Sequence, residues 1–64
     1  MKKKELRKIA EEIAKCELII QNSTDKLKVV AAMNRTMELA TKVESLEDME
    51  TIDDMVQEIF LKIS

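Results

Sequence analysis

Val29-Val30-Ala31-Ala32-Met33-Asn34-Arg35-Thr36-Met37-Glu38-Leu39-Ala40-Thr41-Lys42-Val43 is the stretch whose reading decides the fold. At 100° per residue, Val29, Val30, Ala32, Met33, Met37, Leu39, Ala40 and Val43, continued by Leu46, cover roughly 200° of a helical wheel. A helix lying on the surface of a small protein buries a narrower stripe than that. An arc this wide calls for two neighbours, so the segment reads as the central helix of a bundle or of an oligomer, over residues 24–46.

The segments on either side carry the ordinary amphipathic pattern. Upstream, Leu6, Ile9, Ala10, Ile13, Ala14, Cys16 and Ile20 fall on one arc, which places helix one at residues 3–21. Asn22-Ser23-Thr24-Asp25 is the turn that follows, with Ser23 the expected N-cap of helix two and Asp25 favouring its positive end. Downstream, Ile52, Met55, Val56, Ile59, Phe60 and Ile63 repeat at helical spacing. Thr51 and Asp54 fit a capping box that would start helix three near residue 51. Ser45 and Asp48 fit a second one, so helix two either stops there or runs on through Met49 to residue 50.

Composition narrows the chemistry. The 64 residues contain no glycine, proline, histidine, tryptophan or tyrosine, and a single cysteine. Without glycine or proline there is no phosphate cradle, and the connections between helices must be short. Without histidine, most acid–base, nucleophilic and metal-site chemistry loses its usual participant. The chain therefore reads as non-enzymatic, with no cofactor and no metal. No apolar run approaches the about 20 residues that span a bilayer, and no apolar segment follows the basic start as a signal peptide requires. A cytoplasmic protein with no membrane partner is expected.

Charge is segregated along the chain. Residues 1–10 carry five cations (Lys2, Lys3, Lys4, Arg7, Lys8) and one anion (Glu5), whereas residues 44–58 carry seven anions and no cation. Cations at the positive end of a helix are disfavoured, so the basic cluster invites a binding role for a phosphorylated small molecule or nucleotide, with Asn34, Arg35 and Thr36 supplying polar contacts. Nucleic acid is a poorer candidate, because no tyrosine or tryptophan is present to stack on bases. In a third arrangement, the basic end of one subunit docks on the acidic segment of another.

A few residues stand out against their helices. Glu17 falls inside the apolar arc of helix one, where a carboxylate needs a partner or access to water; Arg35 is the candidate partner. Leu18 and Ile19 lie off the stripe and mark a second contact surface. Met33 and Met37 suit an adaptable interface. Thr36, in mid-arc, is expected to bond back to the carbonyl of Ala32. Cys16 reads as a small core residue.

These readings converge on an all-α protein: one domain over 1–64, a small antiparallel bundle of two long helices and one shorter helix, completed by homo-oligomerisation. The function expected is that of an interaction protein, a regulator or inhibitor that binds a partner protein's surface, with sequestration of a phosphorylated ligand as the alternative.

Overall fold

Amphipathic periodicity, capped ends and an absence of helix breakers produce three helices. The computed structural model describes residues 2–64. Helix α1 spans Lys3–Asn22, α2 spans Lys26–Thr41 and α3 spans Leu46–Ile63, with no strand among the described residues. The connections, residues 23–25 and 42–45, are built without left-handed backbone: no described residue has a positive φ.

The start of α1 at Lys2 has no side-chain cap, whereas α2 and α3 each begin on one. The first turn of α1 closes on the Lys2 carbonyl, which accepts from the amides of Glu5 and Leu6 at 3.0 and 3.1 Å. At its other end the Ser23 amide donates to Ile19 O at 2.8 Å, and the Asn22 side-chain amide donates to Leu18 O at 3.0 Å. Asp25, not Ser23, is the N-cap of α2, its carboxylate accepting from the Leu27 amide at 3.0 Å. Ser23 sits two residues earlier and accepts from the Asp25 amide at 3.2 Å.

Helix α2 ends at Thr41, short of the expected residue 46. Its last carbonyls are closed by tighter i to i−3 bonds from Lys42 to Leu39 and from Val43 to Ala40, each 3.2 Å. This tightening lets the chain turn without glycine. Helix α3 then starts at Leu46 and not at Thr51: Ser45 is the N-cap and accepts from the Asp48 amide at 3.3 Å. The earlier start places Met49, half-buried, on the same side as Ile52 and Val56 and lets the Ser45 hydroxyl cap the helix. Thr51 becomes an interior residue whose hydroxyl donates to Glu47 O at 3.0 Å. Glu47 and Asp48, in place of Asp53 and Asp54, occupy the dipole-favoured first turn. The lengths of 20, 16 and 18 residues make α2 the shortest helix, where the third was expected to be.

The central helix is α1, which corrects the reading of the second segment. Helix α1 packs against both α2 and α3, while α2 and α3 barely meet. Six α1 residues are buried (Leu6, Ile9, Ala10, Ile13, Ala14 and Cys16), against two on α2 (Ala32 and Leu39) and three on α3 (Ile52, Val56 and Ile59). One core unites all of these except Cys16 and Ala32, with Val43, Met55 and Phe60 packed at its edge. The wide arc of α2 is real, but only half of it is covered: Ala32 and Leu39 face α1, and Val30, Met33 and Met37 are 53%, 50% and 68% exposed.

Ile52, 1% exposed, is the best-buried large side chain. Ile52→Ala is expected to cost about 2–4 kcal/mol, through lost transfer energy and the cavity left behind. Leu61→Ala, at a position 78% exposed, should change stability by less than about 0.5 kcal/mol. Ser45→Ala should cost about 1 kcal/mol by removing the α3 cap. Urea titration of the three variants checks all three values.

Candidate interaction surfaces

The expected site residues separate into three places. Lys3, Lys4, Arg7, Lys8 and Glu11 line an open depression of about 560 Å³ on the first turns of α1. Helical spacing puts Lys4, Arg7, Lys8, Glu11 and Lys15 on the side of α1 that faces away from the core, and all five are exposed. The only ion pair in this group is Arg7 with Glu11, at 3.8 Å. Among the described residues, Lys3, Lys4, Lys8 and Lys15 pair with no carboxylate. Lys2, the α1 N-cap residue, does not line the depression.

Asn34, Arg35 and Thr36 are not brought to that cluster; none lines its depression. Thr36 does bond back as anticipated, its hydroxyl donating to Ala32 O at 3.0 Å. Asn34 is exposed. Arg35 is committed to a clamp between helices. Its Nε donates to Glu12 Oε2 at 3.0 Å, its Nη2 lies 2.8 Å from the same oxygen, and its Nη1 donates to Glu38 Oε1 at 3.2 Å. The hydrogen bond to Glu12, reinforced by the Glu12 and Glu38 charges, holds the guanidinium above its ordinary range.

Glu17 therefore does not pair with Arg35, whose guanidinium is directed to Glu12 and Glu38. Glu17 is half-buried, and among the described residues it makes no hydrogen bond or ion pair. Near the end of α1 its carboxylate keeps access to water, the less costly solution for a charge on an apolar face.

The second group lies at the first connection. Leu18, half-buried, and Ile19, 42% exposed, line an open depression of about 500 Å³ with Asn22, Ser23 and Lys28. The third group is the outer side of α2. Val30, Met33 and Met37 fall within about 60° of one another on the helix, with Leu27, 82% exposed, one step around. The sequence marked Met33 and Met37 as interface residues, but Leu27 was missed. Its signal lay in the arithmetic, because Leu27, Val30 and Met37 stand at i, i+3 and i+10.

A smaller open depression of about 390 Å³ joins the start of α1 to the second connection, through Glu5, Lys42, Glu44, Ser45 and Asp48. The start of the acidic segment thus lies beside the start of α1 in the same chain. No group of three or more potential metal ligands occurs among the described residues, and no helix there is long and apolar enough to cross a membrane. Comparison with protein-family models, curated proteins and solved structures finds no match to this chain.

Because Glu17 loses no ion pair on replacement and stands on the apolar side of α1, Glu17→Leu is expected to stabilise the protein by about 1 kcal/mol. Urea titration of the variant against the parent chain reads this directly; a loss of stability would mean that the carboxylate is held by an interaction worth more than its desolvation.

Proposed function

We propose that this protein is a non-enzymatic interaction protein: an antiparallel three-helix unit that pairs with a second copy through the outer face of α2. As that oligomer it regulates or inhibits a partner protein by occupying its surface. The observation that carries the reading is the exposed strip of Leu27, Val30, Met33 and Met37. Helix α2 buries only Ala32 and Leu39. Helices of this length draw most of their stability from tertiary packing, and two buried residues supply little of it. A second copy covering the strip provides the rest, and oligomerisation is the usual support for a chain of this size that has no disulfide.

The Glu12–Arg35 ion pair supports the antiparallel arrangement. Glu12 lies about as far before the 23–25 connection as Arg35 lies after it, which is the register of a helical hairpin. The absence of histidine from the sequence supports the non-enzymatic assignment.

Sequestration of a phosphorylated small molecule or nucleotide has less to stand on. The basic depression and the Asn34–Thr36 group are separate within one chain, and Arg35 is already matched by two carboxylates. Millimolar nucleotides, cyclic ones included, are expected to leave the melting temperature unchanged; a ligand that bound the folded state alone would raise it by mass action.

The deciding measurement is molar mass by light scattering at about 500 mM salt, where charge pairing is screened and apolar pairing persists. The parent chain should have the mass of two copies, and the doubly substituted Val30→Glu, Met37→Glu chain the mass of one with its helix content unchanged. A parent chain that is monomeric at every accessible concentration overturns the pairing.

A further inference from the structure

The outer faces of α1 and α3 are matched in opposite sign. On α1, Lys4, Arg7, Lys8 and Lys15 make a basic strip interrupted by Glu11; on α3, Glu47, Glu50, Asp53, Asp54 and Glu58 make an acidic one. All of these residues are exposed. From Lys4 to Lys15 and from Glu47 to Glu58 the chain advances equally, so each strip runs about 16 Å along its helix. Neither strip is fully neutralised at home, although Arg7 pairs with Glu11 at 3.8 Å and Glu58 with Lys62 at 3.3 Å. Lys4, Lys8 and Lys15 have no anionic partner among the described residues, and Glu50, Asp53 and Asp54 have no cationic one.

We propose that the acidic α3 strip of one copy docks on the basic α1 strip of another. Three observations carry this. The first is the equal length and opposite charge of the two strips. The second is that both strips belong to every copy, so the contact repeats without any other partner. The third is a steric match. Leu61, 78% exposed, stands on the same side of α3 as Asp54 and Glu58. The depression walled by Lys3, Lys4, Arg7 and Lys8 offers their aliphatic stems to such a side chain. The docked carboxylates also offset the cost of placing Lys3 and Lys4 at the positive end of α1.

The contact joins two different surfaces, so it is head-to-tail and generates rings or growing chains, not a closed dimer. It is separate from the pairing through α2 and does not rest on it. Apolar pairing survives high salt, whereas contacts between exposed charges are screened over about 4 Å at about 500 mM and over about 14 Å at about 50 mM.

The test is sedimentation velocity on the full chain at these two salt concentrations and equal protein concentration. The weight-average mass at low salt should be at least about twice that at high salt. Lys4→Glu with Lys8→Glu, and separately Glu50→Lys with Asp54→Lys, should each bring the low-salt mass down to the high-salt value. Circular dichroism confirms folding in each case, and every substituted residue is exposed. Equal masses at the two salts overturn the proposal. So does a salt-sensitive assembly that survives either two-residue variant. Failure of the α2 pairing shows instead in the high-salt mass alone.

Discussion

Everything in this fold depends on α1 being able to seat two helices at once. Ala10 and Ala14 are both fully buried, and small side chains let neighbouring helices approach to the short end of the usual 8–10 Å axial separation. Leu6, Ile9 and Ile13 supply the bulk around them. Because α1 meets both neighbours, α2 and α3 need not close on each other, and the backbone is a flattened body of 34 × 24 × 15 Å. The flattened arrangement leaves the outer side of α2 uncovered. The same dependence explains why Arg35 matters: its bond to Glu12 ties the least buried helix to the central one, while Glu38 on its own helix holds the guanidinium in place.

Much of the architecture was legible in the residues. The α1 arc from Leu6 to Cys16 corresponds to the buried side of that helix, and Ile52, Val56 and Ile59 to that of α3. Less legible was which helix stands in the middle. A helical wheel records how much of a helix is apolar but not which part a neighbour covers, so the wide arc of α2 and the narrower arc of α1 were ranked in the wrong order. The α3 start was ambiguous for a different reason. Ser45 and Thr51 both begin an acceptable capping box, and the pattern of residues does not choose between them.

The candidate surfaces were legible as charges and as misplaced side chains, but not as constellations. That Lys3, Lys4, Arg7 and Lys8 share one depression follows from their spacing on a single helix. That Arg35 reaches Glu12 instead of Glu17 depends on how two helices are rotated against each other, which no single helix records. The near-neutral net charge of −2 conceals the same point, because cations and anions are separated onto different outer faces.

The glycine-free backbone has a consequence for the unfolded chain. Every residue carries a Cβ atom and no described residue sits at positive φ, so the denatured ensemble lacks the wide conformational freedom that glycine confers and has less disorder to surrender on folding. The connections gain latitude as well. Residues 23–25 and 42–45 are held by hydrogen bonds to caps and carbonyls and not by a backbone shape that only one residue type can adopt. Their sequence can drift widely, provided that a carboxylate or hydroxyl remains at Asp25 and Ser45, without disturbing the course of the chain.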